Sequence, residues 1–417
     1  MSSKSLFPEI ANRWKGIDLT SLDVSKPEYF ERNEHSGLFA RLRRESPVHY
    51  CPQSPYGPYW SVCGYDDIVE VERNHQVYSS ENNVIIGDVP AEFDVTRAFA
   101  TADPPIHTQE RRAVLPAFTR KRLDTLADSI REKIRSLLEG LPNDGTFDWV
   151  QRVSNVVTNN MVGELFDLSA ADRERLPFWC EALVTTPEPG ALVETWQQRD
   201  QVIEQFRHRL LTLWAERRRD SSRSDVISAL AQNPDTAEMA TDALRLVGTV
   251  GLFAGANEAA RAALSGAIVA FNQFPDQWHM LKENPELIDG AVAEIVRWQT
   301  PIIHMRRTTT EAVQLGNCQL PPGARVVLWY CSANRDESQF ENPELFDILR
   351  PNANKHLGYG SGIHRCLGQH VAEMELRILL RELLQNPFSI KLMASPQRIR
   401  SNFSANYQQL LVRKLNG

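Results

Sequence analysis

The chain has 417 residues, 42% of them hydrophobic and 24% charged, and a formal net charge of −7. This ordinary globular composition excludes a low-complexity protein, and the net acidity gives no reason to expect a nucleic-acid partner. Six cysteines with no Cys-x-x-Cys pair disfavour zinc or iron–sulfur sites and fit reduced thiols in a cytoplasm.

Lys4, Glu9, Arg13, Lys15 and Asp18 interrupt the N-terminal stretch, which reads as neither a signal peptide nor a membrane anchor. Residues 27–72 mix turns with short strand-like runs, Pro47 to Cys51 and Tyr59 to Cys63 among them. Asn82 to Phe99 has little periodicity and reads mainly as loop. Helical patterns then cover His107 to Leu138, Asp148 to Leu168, Pro177 to Thr186, Leu192 to Arg219, Ala237 to Asn272 and Asn284 to Trp298. The most apolar run, Leu246 to Ala256, is too short to span a bilayer. Strand signals return at Ala312 to Leu315, Arg325 to Trp329 and Gln408 to Arg413. No repeat or low-complexity linker divides the chain. The expectation is one domain over residues 1–417, mainly α with small β-sheets: a large helical part and a smaller strand-rich part, cytoplasmic and off the membrane.

The densest signal is His356-Leu-Gly-Tyr-Gly-Ser-Gly-Ile-His-Arg-Cys-Leu-Gly368. Gly360, Gly362 and Gly368 permit backbone conformations and close approaches that a Cβ would block. Leu367, Val371, Met374, Leu376, Leu379, Leu380 and Leu383 then recur at helical spacing, so Cys366 stands just before a helix. A thiolate there gains from the free N–H groups and dipole of the helix start. The geometry suits haem iron bound by one cysteine thiolate, a ligation that favours O–O cleavage.

At these residues the sequence resembles the cytochrome P-450 family of haem-thiolate monooxygenases, with Tyr359 where the family usually has Phe. The resemblance extends over nearly the whole chain and implies the P-450 fold. It makes Cys366 the axial ligand of haem b (iron protoporphyrin IX). Glu294 and Arg297, which on spacing alone read as a solvated i,i+3 pair, look in their order before the Cys366 motif like the family's Glu-x-x-Arg pair. Arg350, in the segment Asn342 to Arg350, would complete their buried network. His107 and Arg111, one turn apart, resemble the family's propionate partners, as do Arg307 and His364, with Arg306 one register away from Arg307.

Ala254-Gly255-Ala256-Asn257-Glu258 aligns with the family's oxygen-activating segment and departs from it, with Asn257 at the acid position and Glu258 at the alcohol position. Glu258 is the titratable group there and a candidate proton carrier; Arg261 at i+3 offers it an ion pair instead. By family position the pocket lining is Ile85, Ile86, Leu183, Val250, Phe253, Ala254, Ile302, Ile303, His304 and Phe403. The implied reaction inserts one oxygen atom from O2 into a C–H bond of a small organic substrate, by hydroxylation or oxidative demethylation. Electrons would come from a separate ferredoxin and ferredoxin reductase, docking on a face that includes Arg111, Arg112, Arg120, Lys121, Arg122 and Arg365. Two other readings stay open: a peroxygenase that uses H2O2, and a haem-binding sensor without turnover.

Overall fold

Turn residues between alternating apolar runs build the first hairpin where the sequence places it, and helices occupy more of the N-terminal region than its pattern suggests. The computed structural model describes residue 14 and residues 16–81, 83–88, 98–184, 187, 191–255 and 257–416. The chain opens with helices α1 (Pro27–Glu31) and α2 (His35–Glu45), strands β1 (Val48–Cys51) and β2 (Tyr59–Val62), helix α3 (Tyr65–Arg73) and strand β3 (Tyr78–Ser79). Helices α4 (Ile106–Val114) and α5 (Arg120–Glu139) precede strand β4 (Phe147–Asp148). Next come α6 (Asn155–Leu165), α7 (Ala170–Val184), α8 (Trp196–Arg219), α9 (Val226–Gln232), α10 (Ala243–Gly255) and α11 (Asn257–Gln273). Helices α12 (Pro275–Glu283) and α13 (Ile288–Gln299) lead to β5 (His304–Thr309), β6 (Val313–Leu315), β7 (Cys318–Leu320) and β8 (Arg325–Trp329). Short α14 (Tyr330–Ala333), α15 (Gln369–Gln385) and strands β9 (Phe388–Leu392), β10 (Gln397–Arg398), β11 (Tyr407–Gln409) and β12 (Leu411–Asn416) complete it.

Several elements differ from their expected bounds for identifiable reasons. Residues 27–72 hold three helices besides the hairpin. Helix α1 starts on Pro27, whose missing N–H costs nothing at that position. Helix α3 has Asp66 and Asp67 in its first turn and Arg73 in its last, complementing the helix dipole. The helix expected from His107 to Leu138 is two, because Pro116 has no N–H to continue the ladder and a 3-10 turn, Leu115–Phe118, intervenes. Asp148 belongs to β4, not to a helix: its Oδ1 accepts from the Val150 amide at 3.0 Å and the Leu410 amide at 3.1 Å. A single π-helical turn, Val150–Ser154, then feeds α6. Helix α7 starts at Ala170 rather than Pro177, and residues 185–186 of that expected helix lie outside the described residues. The expected run from Ala237 becomes a 3-10 turn (Pro234–Ala240), α10 and α11, with Ala256 outside the described residues. Of the expected loop 82–99, residues 82 and 89–97 lie outside them too.

The chain packs as two compact units. The first comprises residues 1–79, 131–156 and 258–417 and holds every strand named above. Its five-stranded sheet has the order β1-β2-β8-β5-β3, with β2 and β8 parallel and the other neighbours antiparallel. Val62, Val326, Leu328, Ile68 and Val71 bury α3 against this sheet, and removal of their apolar surface from water is the main stabilising term. The second unit comprises residues 80–130 and 157–257. There Trp179 of α7 stacks on Phe206 of α8 with ring centroids 5.0 Å apart. A Cβ on Gly251 of α10 would collide with the Leu183 side chain, so close helix packing accounts for that glycine. None of the described helices is long and apolar enough to cross a membrane.

Helix α15 buries Val371, Met374, Leu376, Leu379, Leu380 and Leu383, the stripe expected from the sequence, together with Glu375. Glu375 is 2% exposed, and burial alone pushes its carboxyl up to about 8. Folding therefore favours the neutral acid. The associated stability is complete below the ordinary carboxylate pKa of 4.5 and is lost as pH rises through about 8. Glu375→Gln is expected to remove up to about 1.4 kcal/mol of pH dependence per unit across that window. Denaturant titrations at pH 5, 7 and 9 check this; parallel slopes for the two proteins would show that Glu375 does not titrate there.

Candidate active site

Cys366 occupies the turn that feeds α15. Gly360 and Gly362 both have φ +65°, where a Cβ is strained, so these two of the four glycines in the stretch are required by the turn itself. The Cys366 amide donates to the Tyr359 carbonyl at 2.8 Å, closing the loop onto its own start. Gly368 differs: its backbone is ordinary, and a Cβ there would meet only the Cys366 Sγ, at 3.8 Å. Its missing side chain keeps space open beside the sulfur.

All six cysteines are thiols, and Cys366 is the exposed one. Burial pushes Cys51 up to about 11 and Cys63 up to about 12, and it raises Cys318 and Cys331 as well. Those four are costly to ionise, whereas a metal ligand must be a reachable thiolate. An exposed thiol at a helix start, with an open flank at Gly368, fits one axial sulfur ligand to a haem iron.

Behind the loop lies a buried charge network. Arg297 of α13 donates from Nε and Nη2 to the two oxygens of Glu294, each at 2.7 Å. Its remaining donors reach the carbonyls of Asn334 (2.7 Å), Pro343 (2.8 Å) and Leu345 (2.9 Å). Arg350 Nε lies 3.1 Å from both Glu294 oxygens. Glu294 and Arg297 are fully buried, so the three charges persist there only because they are completely paired. Sequence reasoning missed Asn334, which ties this network to the Cys366 loop by accepting the Leu357 amide at 2.7 Å. It also receives no help from spacing, since an isolated Asn carries no signal. Thr300 caps α13 in the left-handed region (φ 45°), held there by its hydroxyl bonds to the Arg297 carbonyl and the Asn334 amide.

Arg307 on β5 is buried and lies 3.5 Å from Glu72 of α3. His364 is half-buried in a 3-10 turn, Gly362–His364, one residue short of Cys366. Ile302, Ile303, His304 and Phe403 come together: the Ile303 amide donates to the Phe403 carbonyl at 2.8 Å, and the His304 and Phe403 rings are 5.5 Å apart. Burial lowers His304 to about 4, so the ring is neutral, with Nδ1 2.8 Å from the Asn402 carbonyl. Glu258 forms an ion pair with Arg261 and accepts from Asn406 Nδ2 at 2.7 Å.

In the second unit, His107 and Arg111 lie one turn apart on α4, with His107 buried and Arg111 half-buried. Glu110 between them is buried and accepts from Arg245 and, at 3.1 Å, from Thr249 of α10. Val250 is buried and lines an apolar recess with Trp179, Phe206 and Leu213. Ile86 is buried, and Ile85 and Leu183 are half-buried. Asn257 donates to Asn159 at 2.7 Å. The side chains of Phe253 and Ala254 lie outside those described.

Comparison with known proteins shows what the whole chain is similar to. The family description "Cytochrome P450" matches residues 256–414. The chain is 34% identical over 403 residues to linalool 8-monooxygenase of Pseudomonas putida, covering 94% of this chain and 98% of that one. It is 30% identical to the steroid C26-monooxygenase of Rhodococcus jostii, covering 93% and 83%. Its backbone superposes on cytochrome P450-153 from Novosphingobium aromaticivorans with a TM-score of 0.86 at 34% identity, covering 94% and 99%.

Proposed function

This chain belongs to the cytochrome P450 family and is a haem-dependent monooxygenase of an organic substrate, and from that premise we propose a specific reaction and division of labour. It inserts one atom of O2 into a C–H bond of a small, largely apolar compound, by hydroxylation or oxidative demethylation. The observation that carries the reading is Cys366, the exposed thiol of the six, on its positive-φ glycine turn. Bound haem b supplies the iron at which oxygen is activated.

Cys366 would supply the thiolate ligand to the haem iron, and His107, Arg111, Arg307 and His364 would hold the haem carboxylates. Glu294, Arg297 and Arg350 brace the loop from behind. Ile85, Ile86, Leu183, Val250, Phe253, Ala254, Ile302, Ile303, His304 and Phe403 would line the substrate pocket, and their mostly apolar character suits compounds such as the linalool and steroid in the relatives' names. Electrons come from a separate ferredoxin and its reductase. Exposed Arg112, Arg120 and Lys121 offer an acidic partner a basic docking surface.

A second reading draws on Asn257 and Glu258: the same site uses hydrogen peroxide without a reductase. Glu258 is the one group of the two that can accept and return a proton, while its ion pair to Arg261 and the bond from Asn406 are the partners that the competing structural role expects. Purified protein is assayed with reduced ferredoxin and O2, and separately with peroxide. Under the peroxide reading, Glu258→Gln loses about 10-fold or more of peroxide-driven turnover while keeping its haem and its substrate-induced Soret shift. An unchanged peroxide rate leaves Glu258 its structural ties to Arg261 and Asn406. Product formed with ferredoxin alone selects the monooxygenase route.

A further inference from the structure

One buried carboxylate outside every recognised motif touches the thiolate loop directly. Glu72, near the end of α3, is 4% exposed. One of its oxygens accepts from the Ser361 amide at 2.6 Å. The other accepts from the Tyr330 hydroxyl and lies 3.5 Å from Arg307 Nη2. The backbone joins in: a Cβ on Gly362 would collide with the Glu72 carbonyl, and one on Gly360 would come within 3.1 Å of Glu72 Oε1. The positive-φ turn that places Cys366 is thus moulded chiefly against Glu72 of a distant helix, with the Arg73 amide and the Tyr330 hydroxyl each 3.4 Å from where a Cβ would stand.

Three kinds of interaction meet on that carboxylate. The Ser361 amide makes a charge-assisted bond, stronger than one to a neutral acceptor. Arg307 gives the buried charge a counterion, and Tyr330 occupies a further lone pair. Burial raises the Glu72 pKa while Arg307, Tyr330 and Ser361 act in the opposite sense. An uncompensated carboxylate would be expelled from this place; a compensated one is a rigid anchor.

We propose that Glu72 is a positioning residue for the axial thiolate: it fixes the Gly360–Ser361–Gly362 turn that places the Cys366 sulfur, and it orients Arg307 through the same carboxylate. This inference rests on the haem-thiolate reading of Cys366. A side chain that only stabilised α3 would change the melting temperature without changing how sulfur meets iron. A positioning side chain changes the sulfur–iron bond.

The test uses haem-loaded wild type, Glu72→Gln, Glu72→Ala and Tyr330→Phe. Two quantities are followed: the lifetime of the red-shifted Soret band of the reduced carbon monoxide complex, and amide hydrogen exchange in the peptide containing Ser361. Glu72→Ala is expected to lose the thiolate band about 10-fold faster and to exchange at Ser361 about 10-fold faster. Glu72→Gln keeps an acceptor for Ser361 but loses the charge facing Arg307, so it should fall between, with Tyr330→Phe nearer wild type. Should Glu72→Ala fail to fold, Glu72→Gln and Tyr330→Phe decide. Wild-type band lifetime and Ser361 exchange in the folded variants would overturn the proposal. A wild-type protein with no thiolate band would instead overturn the haem-thiolate reading beneath it.

Discussion

Cys366→Ser is expected to abolish the red-shifted Soret band of the reduced carbon monoxide complex and to lower turnover with O2 by about 100-fold or more, about 2.7 kcal/mol or more at the barrier. A hydroxyl at this position is not deprotonated near neutral pH, so it cannot supply the electron donation that favours O–O cleavage. The loop should survive, because its geometry rests on backbone: the Gly360 and Gly362 conformations and the bond from residue 366 to the Tyr359 carbonyl. Circular dichroism should therefore be native while the spectrum and activity change. Cys51, Cys63 and Cys331 are no substitute, since they are buried and burial raises each thiol still further above neutral pH. A variant that retains the thiolate band would move the ligand elsewhere.

Arg297→Ala should damage folding rather than chemistry. The substitution strands a fully buried Glu294 carboxylate with Arg350 as its remaining cation, and it leaves the carbonyls of Asn334, Pro343 and Leu345 without the donors they now use. Removing one partner of a buried ion pair costs about 3–5 kcal/mol, a large share of the roughly 5–15 kcal/mol that holds a domain together. Denaturant unfolding of the haem-loaded protein measures it. Arg297→Lys should recover little, because one ammonium cannot reach the carboxylate and three carbonyls together. A loss below about 1 kcal/mol in the alanine variant would show that solvent or rearrangement already satisfies the network.

What could be read from the sequence follows the range of the interactions. The thiolate turn and the helix behind it are written in contiguous residues, with Gly360, Gly362 and Cys366 followed by the Val371–Leu383 stripe. Strand β8 appears at its expected bounds because Arg325 to Trp329 is apolar and β-branched in its centre. The Glu294–Arg297 pair was visible by spacing, and its burial only by resemblance. Helix α3 was hidden among strand-like runs despite Asp66, Asp67 and Arg73 at its ends. Glu72 was invisible for a stronger reason: on a helix surface it is an ordinary acid, and its partners Ser361, Tyr330 and Arg307 lie hundreds of positions away. The proline break between α4 and α5 was legible at Pro116 and was overridden by the hydrophobic periodicity on either side.

The sharing of one carboxylate by two guanidiniums has an evolutionary consequence. Glu294 serves Arg297 and Arg350 at once, so losing it removes what either arginine would remove and leaves both cations stranded. Substitutions at the three positions cannot accumulate one at a time without passing through chains worse than either end point. In a mutational survey the trio should therefore behave as a single strongly epistatic locus, with double variants less harmful than the sum of their parts, even though its members lie in separate stretches of the gene.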